Sequence, residues 1–315
     1  MPFIPTYSDI EKAHNIVKKY AHRTPVFTSS AIDSIVGGRL FFKCENFQKV
    51  GAFKFRGAIN AIFSLSETEA EKGVATHSSG NHAAAVALAA KLRGIPAHIV
   101  MPDNSPEIKK RAVAGYDANI TFCAPTLQAR ETTLAKVVEE TGAYEIHPYN
   151  NFYVIAGQGT AAKEMIEEKK DFDIIITPVG GGGLLSGTAI ATKKLLPDCK
   201  IIAAEPAGAD DAFRSFHSKK FIASENPKTI ADGLLTSLGE RNFKIILSNV
   251  DDIVTVSEEN IIAAMRMIWE RMKIIIEPSS AVPLAAILEK KIDIKNKKVG
   301  IILTGGNIDL ERLPF

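Results

Sequence analysis

Apolar side chains return every three or four positions near the start of the chain, at Ile10, Ala13, Val17 and Tyr20, with polar and charged residues between them. That spacing puts them on one stripe of a helix, and Ser8-Asp9-Ile10-Glu11 predicts a capping box at its start. Arg23-Thr24-Pro25 ends the pattern. Short β-rich runs follow: LFFKCE (40–45), GVATHS (73–78), AHIVM (97–101), NITF (119–122), DIIITPV (173–179), KIIAAE (200–205), DIVTV (252–256) and VGIILT (299–304). Several are apolar throughout rather than alternating, as strands covered on both faces are. Helical stretches separate them, so the fold class expected is α/β with mostly parallel sheet.

Between about residues 73 and 147 the β/α units are compact and their loops short, as in GNHAAAVALAAKLRGIPAHIVM. The flanking segments hold a long glycine loop and the longest apolar strands. This predicts a small α/β domain, 73–147, inserted in a larger one made of 1–72 and 148–315, with a cleft between them suited to a ligand. At 315 residues the chain has room for both. A formal net charge of +2 raises no field that would draw nucleic acid or an anionic membrane, so neither is expected as a partner. The N-terminus lacks a basic-then-apolar leader, and no apolar run reaches the roughly 18 residues of a membrane span. Cys44, Cys123 and Cys199 lie far apart without CxxC spacing, which predicts no disulfide or zinc knuckle and a cytoplasmic protein.

In GAFKFRG (51–57), Lys54 stands between Phe53 and Phe55. Either it opens a helix and reaches out to water, or its apolar setting disfavours the ammonium and leaves a free amine able to attack a carbonyl. Gly180, Gly181, Gly182 and Gly183 stand between the run DIIITPV and a helical stretch closed by Pro197. Glycines at such a turn let backbone amides converge on an anion, so a phosphate cradle is expected. A Walker loop would need lysine where Thr188 stands, and GxGxxG fails at Leu185 and Ser186, although Glu205 falls where a ribose-binding carboxylate would. Ser78, Ser79, Gly80 and Asn81 open an alanine-rich helix whose first amides suit a carboxylate. A GxSxG elbow is excluded by His77 and Asn81, and no HExxH is present. A non-catalytic nucleotide-binding module is the reading from another class.

Taken together, SSGNHAAA, AGQGT, GGGGLLSG, AAEP, TIADG, IEP and LTGGNID resemble the fold type II pyridoxal-phosphate enzymes over nearly the whole chain. The nearest resemblance is to the serine racemases and the serine/threonine and 3-hydroxyaspartate dehydratases. It implies a two-domain fold similar to tryptophan synthase β, with twisted, mostly parallel sheets and helices on both faces. Lys54 is then the amine that bonds the aldehyde of pyridoxal 5'-phosphate, and Phe53 lies beside the ring. Asn81 meets the ring oxygen, Gly180 to Gly183 and Leu184 hold the phosphate, and Thr304 meets the ring nitrogen. Lys54 and Ser79 become the two proton carriers, one on each face of the substrate.

The same resemblance assigns the substrate carboxylate to Ser78, Ser79, Asn81 and His82, and sets Arg130 where it could read a second carboxylate. Tyr149 departs from the asparagine of some racemases and is closer to the dehydratases. Glu205, the Ala209 carbonyl and Asp211 would bind Mg2+, or Ca2+ or Mn2+, as oxygen ligands suit hard cations. Ser29, Ser30, Lys49, Lys109, Tyr116 and Asn307 match places that hold ATP between subunits of a homodimer. The implied activity is racemisation of serine with β-elimination from L-serine and related β-hydroxy amino acids. The alternative is a threonine/serine or L-threo-3-hydroxyaspartate dehydratase with little racemase activity.

Overall fold

Ten strands form two sheets in the computed structural model, which describes residues 4–78, 80–105 and 107–315, without the side chains of Ile108 and Leu127. They are β1 (Val26–Phe27), β2 (Arg39–Cys44), β3 (Val74–His77), β4 (Ala97–Pro102), β5 (Asn119–Cys123), β6 (Tyr144–Glu145), β7 (Ile174–Pro178), β8 (Lys200–Pro206), β9 (Asp252–Val256) and β10 (Lys298–Leu303). The larger sheet runs β1-β2-β10-β7-β8-β9 and the smaller β5-β4-β3-β6. Every pairing is parallel except β1 with β2, in agreement with the α/β expectation.

Continuous apolar runs became strands because both faces are covered. Ile174, Ile176, Ile301 and Leu303 pack with Ile261, Met265 and Leu284 on one side of the larger sheet. Ile175 and Ile302, one residue out of step, pack with Ile10, Ala13 and Met165 on the other. The first helix, Tyr7–Tyr20, buries Ile10, Ala13 and Val17 as predicted. Its capping box lies two positions before the expected one. The Asp9 carboxylate accepts from the Thr6 amide (2.9 Å) and hydroxyl (2.7 Å), so Ser8 is already inside the helix. Among the described residues, no helix is long and apolar enough to cross a membrane.

Strand order positions the site. From β7 the chain moves outward to β8 and β9, whereas β10 returns on the opposite side of β7, next to β2. The crevice beyond the carboxyl ends of β7 and β10 is therefore a topological switch point, where α/β sheets bind ligands. Gly180 follows β7 there and Thr304 follows β10. Lys54 is brought to the same end by an antiparallel bridge between Ala52 and Gly305 and by the Phe53 amide, which donates to the Thr304 carbonyl at 2.9 Å.

Candidate active site

A cleft of about 790 Å³ opens at this crevice, between the two sheets. Phe53, Lys54, Gly180 to Gly183, Leu184 and Thr304 line it from the larger-sheet side. Ser78, Asn81, His82 and Arg130 face it from the smaller-sheet side. Ser79 lies outside the described residues.

Lys54 is the first residue of the helix Lys54–Phe63, partly exposed at the cleft, and its Nζ donates to the Pro148 carbonyl at 3.0 Å. Nζ lies 5.2 Å from the Phe53 ring centroid. Protein crowded round the ammonium pulls its pKa down to about 8, with Glu277 opposing the shift. A useful fraction of free amine therefore exists near neutral pH, the condition for attack on a carbonyl.

The helix Gly183–Leu195 starts without any side-chain cap, and Gly182 before it has φ +88°. Its first amides have no intrahelical partner, so they stand free at the positive end of the helix dipole. Gly181 has the ring of Tyr149 pressed against it; a Cβ there would lie 2.2 Å from a ring carbon. Asn242 holds the turn by donating to the Gly181 carbonyl at 2.7 Å and to that of Tyr149 at 3.0 Å. A cradle of unpaired amides, an amine of lowered pKa and a buried hydroxyl at Thr304 are what a phosphorylated aldehyde with a ring nitrogen requires. The residues fit pyridoxal phosphate.

Asn81 and His82 carry qualifications that the sequence did not suggest. The Asn81 amide donates to both oxygens of Glu277 at 3.0 Å and its oxygen accepts from Asn307 at 2.8 Å. A cofactor oxygen would compete with Glu277 for it. Glu277, buried beside the cleft, has its pKa pushed up to about 7, first by burial and then by Asp232. It stands out as a functional candidate that sequence reasoning left inside the IEP motif. His82 is buried with Nε2 at 3.0 Å from the Ile146 carbonyl and Nδ1 without a partner. Burial, with Lys54 nearby, holds it neutral. The carbonyl fixes the proton on Nε2, so Nδ1 offers a lone pair that repels a carboxylate. Any substrate contact by His82 falls to its backbone.

Arg130 sits on the helix Leu127–Thr141, where Nε reaches only its own turn, the Thr126 carbonyl at 3.4 Å. Among the described residues it has no carboxylate partner, although it faces the cleft. Tyr149 accepts a hydrogen bond from Thr236 at 3.0 Å, and His77 and His147 nearby are held down to about 4, chiefly by burial.

Behind Lys54, Arg56 is fully buried in a closed ion cluster. It grips Glu45 with Nε (2.7 Å) and Nη2 (2.8 Å), and Glu164 with Nη1 (2.9 Å) and Nη2 (2.8 Å). Buried Lys43 adds a 2.7 Å bond to Glu164. Two cations and two anions thus tie the Lys54 helix to β2 and to the helix Phe152–Lys169.

Away from the cleft, Glu205 ends β8 fully buried and accepts from the Phe213 amide at 2.9 Å. Burial raises it well above an ordinary carboxylate. Asp211 accepts from the Leu238 amide at 2.7 Å with Oδ2, while buried Oδ1 has no partner, and burial raises its pKa to about 6. Neighbouring buried carboxylates with an orphaned oxygen suit a hard cation. No group of three or more acidic, histidine or cysteine side chains able to hold a metal occurs among the described residues, so a site here would need the Ala209 carbonyl.

A second cavity, about 540 Å³, adjoins the cleft across Gly80, Asn81, Lys109 and Asp232. Lys109, Tyr116 and Asn307 line it; Ser29, Ser30 and Lys49 do not. Lys109 is ion-paired with Asp232.

Residues 17–305 match the family described as pyridoxal-phosphate dependent enzyme. The chain is 50% identical over 313 residues to the beta-hydroxyaspartate dehydratase of Paracoccus denitrificans, covering 99% of both. It is 52% identical over 312 residues to the serine racemase of Dictyostelium discoideum, covering 98% of this chain and 96% of that one. The solved structure of maize serine racemase superposes with a TM-score of 0.96 at 48% identity, covering 98% of this chain and 95% of that one.

Proposed function

We propose, because the chain belongs to the pyridoxal-phosphate dependent enzyme family, that it racemises serine and eliminates water from L-serine and related β-hydroxy amino acids. The observation that carries this is Lys54: an amine of lowered pKa on the floor of a cleft that also holds a free amide cradle and the Thr304 hydroxyl. Pyridoxal phosphate, when bound, supplies an electron sink for negative charge at the substrate α-carbon. Phe53, Asn81, Gly180 to Gly183, Leu184 and Thr304 would hold it. Ser78, Asn81 and the backbone at His82 bind the α-carboxylate. Lys54 takes the α-proton on one face, and Ser79 returns a proton on the other, inverting the centre. Loss of the β-hydroxyl instead leads to pyruvate and ammonia from serine. Residues 73–147 serve as the small domain, and 1–72 with 148–315 as the large one.

A second reading, an L-threo-3-hydroxyaspartate dehydratase, is favoured by one observation. Arg130 faces the cleft without a carboxylate partner among the described residues. A dicarboxylic substrate would supply one. The test is a panel of L-serine, D-serine, L-threonine and L-threo-3-hydroxyaspartate, scored for keto acid and for inverted amino acid. Appearance of both pyruvate and D-serine from L-serine is expected; keto acid without D-serine leaves only the dehydratase reading. With Arg130→Ala, kcat/KM for 3-hydroxyaspartate should fall about 10- to 100-fold, the worth of one charge-assisted bond, while serine changes little. Equal losses on both substrates would remove Arg130 from side-chain recognition.

Glu205, Ala209 and Asp211 are the proposed Mg2+ or Ca2+ site. Added Mg2+ should raise the melting temperature by a few degrees through preferential binding to the folded chain, and Asp211→Asn should remove that response. An unchanged melting curve in the wild type would count against the site. ATP is the proposed ligand of the second cavity, held at Lys109, Tyr116 and Asn307. Ser29, Ser30 and Lys49 do not line that cavity within one chain, which suits a nucleotide between two copies of a homodimer. A cytoplasmic setting accords with three unpaired cysteines.

A further inference from the structure

At the carboxyl end of β10 a short chain of hydroxyl groups leads from the protein interior to the cleft. Ser280 is fully buried in the first turn of the helix Pro278–Leu288. Its Oγ accepts from the Gly305 amide at 2.8 Å, is placed to donate to the Gly305 carbonyl at 2.8 Å, and lies 2.9 Å from Thr304 Oγ1, where either oxygen can be the donor. Thr304, 3% exposed, lines the cleft, and Ser280 is the only hydrogen-bond partner of its hydroxyl among the described residues.

A serine hydroxyl carries one proton, and this one has two acceptors in reach. If the proton goes to the Gly305 carbonyl, Thr304 must donate back to Ser280 and shows only lone pairs to the cleft. If it goes to Thr304, the Thr304 proton is released to point into the cleft. The Gly305 carbonyl already accepts from the Glu277 amide at 3.0 Å, so it is not left unpaired when the Ser280 proton turns away. In the second arrangement Gly305 N–H, Ser280 and Thr304 form a one-way chain in which each bond polarises the next. The bond also selects one χ1 well for Thr304, whose β-branched side chain would otherwise choose between its methyl and its hydroxyl facing the cleft.

We propose that Ser280 is a positioning residue: it holds the Thr304 hydroxyl toward the cleft and makes it a donor to the ring nitrogen of pyridoxal phosphate. This rests on the pyridoxal-phosphate reading above. The role is indirect, so its signature is coupling between the two hydroxyls.

The experiment compares the rate at which pyridoxal phosphate leaves the holoenzyme after dilution in the wild type, Ser280→Ala, Thr304→Val and the double variant. Ser280→Ala should release cofactor about five- to tenfold faster, the worth of one neutral hydrogen bond. The double variant should release it no faster than Thr304→Val alone, because Ser280 acts only through that hydroxyl. Reconstitution with ring-15N cofactor should also give a nitrogen resonance that moves in Ser280→Ala. Where Ser280→Ala does not fold, Ser280→Cys keeps nearly the volume with a poor hydrogen-bonding group and is read in the same way. Equal losses in both Thr304 backgrounds would mean that Ser280 merely supports the Gly305 turn, and would overturn the proposal. So would an unchanged release rate in Ser280→Ala. A wild type that takes up no pyridoxal phosphate overturns the parent reading and this one with it, whereas the variant results bear on Ser280 alone.

Discussion

Lys54→Ala should fold normally, lose the yellow absorbance of the wild-type holoenzyme, and turn over L-serine about 10⁴-fold more slowly, the upper range for removing a positioned proton carrier. Normal folding is expected because among the described residues the side chain makes one hydrogen bond, to the Pro148 carbonyl beside the open cleft, where water can replace it. Removing an ammonium that its surroundings disfavour also relieves a desolvation cost. The rate should collapse for a separate reason: in the proposed function Lys54 is both the covalent anchor of the cofactor and the base for one face. The pH dependence follows from its lowered pKa. Uptake of pyridoxal phosphate by cofactor-stripped wild type should speed up as pH rises toward about 8, where half the amine is free, and level off above it. Stopped-flow absorbance measures this directly. Retention of the yellow band in Lys54→Ala, or a rate of uptake flat from pH 6 to 9, would remove Lys54 from its role.

How much of this could be read from the chain depends on the distance over which each signal acts. All eight β-rich runs became strands; in the continuously apolar ones, such as β7, β8 and β10, two-sided burial leaves its mark within the run, whereas β5 is largely exposed. β1 and β6, two residues each, are too short to carry any period and were not foreseen. The capping box lies two positions earlier than the local pattern suggests because Thr6-x-x-Asp9 and Ser8-x-x-Glu11 overlap and each satisfies it. The glycine turn is legible because residue type restricts what can stand there, whereas residue type alone leaves Lys54 with two readings. Glu277, Ser280 and the partners of Arg56 are not legible. Asn81 meets Glu277 across 196 positions and Arg56 meets Glu164 across 108, and no local pattern encodes such pairs. The His82 side chain illustrates the same limit. Its ring proton goes to the Ile146 carbonyl, 64 positions away, a partner that no local pattern announces.

The ion cluster behind Lys54 gives the largest expected effect on stability. Arg56→Met removes a guanidinium that grips two carboxylates in forked pairs, and leaves Glu45 and Glu164 in a fully buried setting with Lys43 as the remaining cation. Breaking a buried pair on one side costs about 3–5 kcal/mol because an uncompensated charge stays behind. Arg56→Lys keeps the charge but loses both forks, and should recover part of the loss. The sign of the pH dependence separates this from a packing defect. In the wild type, Arg56 helps hold Glu164 down to about 2 from an ordinary 4.5, which contributes stability above about pH 4.5 that is lost as pH falls through 2. The variant lacks most of that contribution and takes up protons on its stranded carboxylates at higher pH. Urea unfolding should therefore find the gap between wild type and Arg56→Met widest near neutral pH and narrowing below about pH 4.5. A gap that stays constant with pH would assign the loss to volume instead. Because Lys54 is two residues away on the same helix turn, Arg56→Lys should also slow cofactor uptake while shifting its pH midpoint little, since the cluster fixes where the amine stands and burial at the cleft sets its pKa.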